Sequence, residues 1–169
     1  MLTHATTHSR NVSGHCKEDT TKKQVTEKLK YCLRFSTNID EKQLDKITSC
    51  FKLKTVKKNT ILLSEGEVCK EFYFVNSGCI RTYYLTKQGQ EKTRYVAFDN
   101  SFATPISSFI SQEQSFEFVD TLENSELYTI NHKNFYQLMT DIPQWEKLYR
   151  ALLEMAYLYQ NRKSRNPFS

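Results

Sequence analysis

The chain of 169 residues holds 24 basic and 19 acidic side chains, a formal net charge of +5, and is 38% hydrophobic, which is room for one full core and hardly for two. Phe 11 and Tyr 10 against Gly 4 and Pro 3 exclude widespread disorder and suit strands with some helices. The charge is spread rather than clustered, the five cysteines show neither CxxC nor Cys/His spacing, and no apolar run nears the ~20 residues of a membrane span, so the chain reads as cytoplasmic, with reduced thiols and no direct DNA binding of its own.

Residues 1–21 carry Thr, Ser and His with almost no apolar periodicity and read as a flexible arm. His4, His8, His15 and Cys16 fall in it, and without a fixed backbone they cannot be held at metal geometry. The lysine-rich stretch from Lys22 to Phe35, with Val25, Leu29, Tyr31, Cys32 and Leu33, suits a short amphipathic helix. From Asn38 to Phe51 a second helix is expected: Asn38 or Asp40 caps it, acids fill its first turn, and Leu44, Ile47 and Phe51 share a face. Phe51–Val56 then alternates as a strand whose lysines make a solvated edge, followed by a strand from Thr60 to Leu63.

Ile61 to Pro105 is the most regular stretch. Ser64-Glu65-Gly66-Glu67, Asn76-Ser77-Gly78 and Lys87-Gln88-Gly89-Gln90 break it into antiparallel strands, each turn holding a glycine free to take positive φ. Phe72, Phe74, Ile80, Thr82, Tyr84, Thr93, Tyr95 and Ala97 fall at period two on one face, and Arg81, Tyr83 and Arg94 on the other. A hairpin-rich barrel or jelly roll follows. Ala103–Ile110 suits a short helix with Pro105 in its first turn. Ser115–Leu122 and Glu126–Asn131 are two more strands, and Asn131 caps a helix that carries Phe135, Leu138 and Met139 up to Pro143.

In the final helix Trp145, Leu148, Leu152, Met155 and Tyr159 recur at three and four, the pattern of a helix that pairs along its length. The stripe either covers its own barrel or pairs with a second copy while Tyr149, Leu153, Ala156 and Leu158 do the covering. The two-sided pattern favours a homodimer through this helix. The chain thus divides into an arm (1–21), a β-roll with its N-terminal helices (22–142) and a dimerisation helix with its tail (143–169).

Leu63-Ser64-Glu65-Gly66-Glu67-Val68, followed by Phe72-Tyr73-Phe74-Val75-Asn76-Ser77-Gly78-Cys79-Ile80-Arg81, resembles the first glycine turn and the "phi-Y-phi-V-x-x-G-x-hydrophobic-R" hairpin of the cyclic-nucleotide-binding domain of the Crp/Fnr family. The resemblance runs from about Phe35 to Gln160, and Asn100–Pro105 and Leu122–Leu127 are similar to forms in regulators of that family from Bacteroidetes. It implies a double-stranded β-helix (jelly roll) with flanking helices, a long C-terminal helix and a ligand-sensing, dimerising function in transcription regulation. Two departures matter. Where members that bind cyclic AMP carry a Gly-Glu pair before the short helix, this chain has Thr104 and Pro105. Where they carry the phosphate-neutralising Arg, Gln112–Phe118 holds Glu113 and Glu117 and no basic residue. Cyclic AMP is therefore not expected to bind. Only Arg162–Ser169 follow the helix, so no winged helix-turn-helix is expected within this chain, and a truncated DNA-binding regulator stays open beside a natural sensor module.

An effector of unknown identity would be met by the backbone of Ile106 and Ser107, the hydroxyls of Thr104, Ser107 and Ser108, and Arg81 or Arg94. Capping by those hydroxyls and ion pairs to acids such as Glu91 are the structural alternatives. An enzyme is not expected: His132 is the only imidazole in the folded part, with no metal-ligand set, cofactor or catalytic triad around it. A protein-interaction scaffold without a small ligand is the competing class.

Overall fold

A computed structural model describes residues 27–34 and 38–165, the side chains of 160 and 162–165 excepted. The 1–21 arm and residues 166–169 lie outside the described residues. Helix α1 (27–34) buries Leu29 and Leu33, and α2 (Glu41–Ser49) buries Leu44 and Ile47. Asp40 starts α2 with a reciprocal cap: its carboxylate accepts from the Gln43 amide at 2.8 Å while its own amide donates to the Gln43 side chain, satisfying two otherwise orphaned groups.

Eight strands follow in chain order: β1 (Lys52–Val56), β2 (Ile61–Leu63), β3 (Glu71–Ser77), β4 (Ile80–Leu85), β5 (Glu91–Ala97), β6 (Ser101–Ala103), β7 (Phe118–Thr121) and β8 (Ser125–Asn131). They form two antiparallel four-stranded sheets, ordered β1-β8-β3-β6 and β2-β7-β4-β5, the jelly roll expected from the turns. Helix α3 (Ile106–Ser111) bridges β6 and β7, and α4 (His132–Asp141) and α5 (Pro143–Arg165) close the chain. Asn131 caps α4 by accepting from the Asn134 amide at 2.8 Å. Pro143 opens α5, where its fixed φ and missing N–H cost nothing.

The β3–β4 turn depends on Gly78. Its φ is +98°, and a Cβ there would lie 2.7 Å from the Asn124 carbonyl, so both conformation and space require glycine. Strand β1 is an edge strand exposed at every position but Val56, which agrees with a solvated lysine edge.

Strict alternation fails at one place in the β4–β5 hairpin. Thr82 pairs with Tyr95 but Tyr83 pairs with Thr93, so Arg94 is the extra residue of a β-bulge. Tyr83 keeps the face of Arg81, as the alternation predicts, and is buried there by the Arg81 guanidinium at 4.1 Å and the stacked Phe118 ring at 5.0 Å, while Tyr84 is half-exposed and Thr93 exposed. The helices cover the first sheet, with α4 against β3 and β8. There Phe72, Phe109, Phe135 and Trp145 form an aromatic cluster with ring centroids 4.9 to 5.5 Å apart in successive contacts.

Candidate functional site

The residues around α3 are held by bonds to the loop before β3. Thr104 donates its hydroxyl to the Glu71 carbonyl at 3.1 Å. Ser108, buried, accepts from the Cys69 amide at 2.9 Å and donates to the Glu113 carbonyl at 2.6 Å. Gln112, in the left-handed conformation at the end of α3, donates to the Cys69 carbonyl at 3.0 Å. The Thr104 and Ser108 hydroxyls expected to face a ligand are thus engaged by the protein's own backbone, a correction whose physical reason is that buried hydroxyls take the nearest carbonyl. Ile106 is half-buried and Ser107 exposed.

The two arginines diverge. Arg81 lies between the buried Ile80 and Thr82 and so points away from the core. It grips Asp120 with two bonds of 3.1 and 2.6 Å, reaches Glu91 at 2.9 Å and stacks on Tyr83 at 4.1 Å. The Asp120 hydrogen bond, reinforced by Glu91, pushes its guanidinium above the ordinary value. Arg81 is thus held on the outer face by Asp120 and Glu91, which corrects the expectation that it meets a ligand. Arg94, turned by the bulge, instead brings Nε to 3.2 Å from Glu117 Oε1 and lies over the Phe116 ring at 5.7 Å.

Glu117 was not singled out as a site residue, yet it is only 4% exposed. Val119 and Thr121 are both fully buried, and carrying their period-two alternation one step back places Glu117 on the same face. That step could have been read from the sequence. Desolvation raises its carboxyl above the usual range, and Arg94 partly offsets the shift. The Ser115 hydroxyl, also buried, binds both the amide and the carbonyl of Glu117 at 3.0 Å, fixing this turn.

The stripe on α5 divides. Trp145 is 1% exposed, edge-on to Phe135 and Phe51, with Nε1 donating to the Phe135 carbonyl at 3.1 Å. Leu148 is buried too. Both belong to the core of their own subunit, which corrects their assignment to a seam between copies. Leu152 is half-buried, and Tyr159 stands edge-on to Tyr95 of β5. Beyond Leu153 one side of the helix is open, with Met155 66% exposed, Tyr157 69% and Leu158 55%, while Tyr159 keeps the helix against β5. Ala151, Met155 and Leu158, all exposed, recur at four and three along one face.

His132 packs its ring on Phe109 and Tyr136, and the described residues contain no group of three or more His, Cys, Asp or Glu able to hold a metal. No helix among them is long and apolar enough to cross a membrane.

The sequence pattern of the family described as "Cyclic nucleotide-binding domain" matches residues 53–141. Among solved structures, the Thermus thermophilus catabolite activator protein is similar with a TM-score of 0.67 at 17% identity, over 75% of this chain and 59% of that one. A chain from Eubacterium rectale assigned to the crp/fnr family gives 0.66 at 21% identity, over 78% and 61%. The sensor domain of the transcriptional regulator DNR from Pseudomonas aeruginosa gives 0.64 at 21% identity, over 88% of this chain and 95% of that domain. At these identities the likeness is one of fold. The chain spans less than two thirds of the first two proteins, and nearly the whole of the third.

Proposed function

Because the chain belongs to the cyclic nucleotide-binding domain family, we propose that it is an effector-sensing and dimerising domain of the Crp/Fnr kind whose altered site does not take cyclic AMP. The observation that carries the ligand reading is the buried Glu117 carboxylate holding Arg94. A cyclic phosphate entering beside them would have to break that pair or face its acid, and an anion desolvated without a free counter-charge is costly. Thr104 and Pro105 add no charge, and Arg81 is committed to Asp120 on the outer face. What remains for an effector is the backbone of Ile106 and the exposed Ser107, with Arg94 reachable only by a ligand that displaces it from Glu117. Isothermal calorimetry with cyclic AMP at neutral pH tests this; a micromolar or tighter Kd overturns it.

The assembly reading rests on α5. With Trp145 and Leu148 used internally, the pairing surface becomes its second half, with Met155 and Leu158 at the centre and Leu152 and Tyr159 beside them. Light scattering should find a dimer at tens of micromolar, and Met155→Asp with Leu158→Asp should give a folded monomer. A monomeric parent refutes it.

A scaffold without any small ligand is favoured by the engaged hydroxyls of Thr104 and Ser108. A thermal-shift panel of nucleotides and small anions separates the two, since a ligand at a hundredfold its Kd stabilises by ~2.7 kcal/mol.

A further inference from the structure

Arg94 and Glu117 form an ion pair between an accessible group and an enclosed one. The Arg94 side chain is 35% exposed and that of Glu117 5%, with Nε at 3.2 Å from Oε1. The contact is one of charge more than of alignment, since Glu117 Oε1 is buried and accepts no hydrogen bond from any described residue. Beside the cation, Phe116, 49% exposed, lies under the guanidinium at 5.7 Å, and the half-exposed Tyr84 stands edge-on to it at 6.3 Å. The two rings make an open apolar wall next to a charge that solvent reaches.

The other groups that face Glu117 do not replace Arg94. The Cys69 thiol, before β3, is near enough to feel the carboxylate and is kept neutral by burial. Glu67, in the loop that pairs with the Ser115 backbone, turns its carboxylate onto the Ser64 amide at 2.7 Å. Ser115 spends its hydroxyl on the Glu117 backbone, and Glu113 in the preceding turn is exposed. Without Arg94 the Glu117 carboxylate would be a buried charge with no counter-ion, a state that is avoided by taking up a proton. Burial already raises this carboxyl, and Arg94 is the charge that opposes the rise.

We propose that Arg94 is the recognition group for a small carboxylate ligand with an apolar body, and that the ligand enters together with one proton from solvent, taken by the Glu117 that it displaces from the guanidinium. This deepens the effector-sensing reading and rests on it. The displaced partner is itself a carboxylate, a group that the planar guanidinium matches with parallel N–H donors, and the body of the ligand lies on Phe116 and Tyr84. Glu117 is then the site's own competing anion, and ligand and proton strengthen each other's binding by the same factor.

The test is a titration with sodium benzoate and with neutral benzamide at fixed ionic strength, from pH 5.5 to 7.5, of protein labelled with ¹⁵N and with ¹³C in its glutamate carboxyls. Benzoate should shift the amides of residues 94, 116 and 117, and bind up to about tenfold more weakly for each pH unit above the Glu117 titration. It should also move the Glu117 carboxyl carbon to its protonated position at a pH where the ligand-free protein holds it ionised; benzamide should do none of this. Glu117→Gln, neutral at every pH, should bind benzoate about tenfold tighter than the parent at pH 7.5 and without pH dependence, and Arg94→Gln about tenfold more weakly or not at all. Affinity independent of pH in the parent, a Glu117 carboxyl that stays ionised at saturation, benzamide binding as tightly as benzoate, or no benzoate shift at tens of millimolar in either the parent or Glu117→Gln would each overturn the proposal. Cyclic AMP separates the two failures: a micromolar Kd refutes the effector reading whatever benzoate does, and a null benzoate titration without cyclic AMP binding removes this proposal alone.

Discussion

Trp145→Ala distinguishes a core residue from an interface residue. The indole is fully enclosed, with its ring centroid 5.1 Å from Phe135 and 6.1 Å from Phe51 and its N–H on the Phe135 carbonyl. Burying roughly 200 Å² of aromatic surface at about 25 cal/mol/Å² gives about 5 kcal/mol as an upper bound, and measured Trp→Ala truncations in cores cost ~3–5 kcal/mol. The variant also removes the indole N–H from the Phe135 carbonyl. With a urea slope of about 2 kcal/mol/M, a loss of about 4 kcal/mol lowers the midpoint by about 2 M. Far-UV circular dichroism is the probe, since Trp145 is the single tryptophan and its fluorescence is lost with it. Trp145→Phe keeps most of the packing and should cost about 1–2 kcal/mol, the hydrogen bond plus a small void. A midpoint unchanged in Trp145→Ala, together with a shift from dimer to monomer, would refute the core assignment and return Trp145 to the seam.

Three further outcomes follow from the geometry. Gly78→Ala should lose about 2–4 kcal/mol in chemical denaturation, because strained φ and the backbone at 2.7 Å act together; Gly89→Ala, with positive φ but open space around it, should lose only about 1 kcal/mol, and equal losses would refute the steric argument. Glu117 has a folded pKa above its unfolded value near 4.5, so its contribution to stability is full below that pH and is lost as pH rises through the folded value. Urea midpoints from pH 4.5 to neutrality should therefore fall less steeply in Glu117→Gln than in the parent; an unchanged slope refutes it. Arg94→Ala leaves that carboxylate without its nearest cation and should cost about 1–3 kcal/mol at neutral pH and less near pH 5, whereas a loss independent of pH would mean that Arg94 acts through packing alone.

The strands, their turns and the helix caps were legible in the chain because they are decided within a few residues. Gly66, Gly78 and Gly89 each take positive φ where the sequence places a turn, and Asp40 and Asn131 cap the helices that begin beside them. Period-two runs and such turns, once resembling a known roll, also carried the order of the elements. The site was less legible, since each of its groups is settled by a partner distant in sequence. Ser108 is engaged by Cys69, 39 residues away, and Arg81 by Asp120, also 39 residues away. A bulge of one residue turned Arg94 towards Glu117, and alternation alone cannot show on which strand an extra residue will fall. On α5 the apolar spacing is the same on both sides of Leu152, so nothing in the pattern says which turns the body encloses. Only the placement of Phe51 and Phe135 around Trp145 decides that its first turns are core and its later ones exposed, because burial is a property of the neighbours that tertiary packing brings and not of the stripe itself.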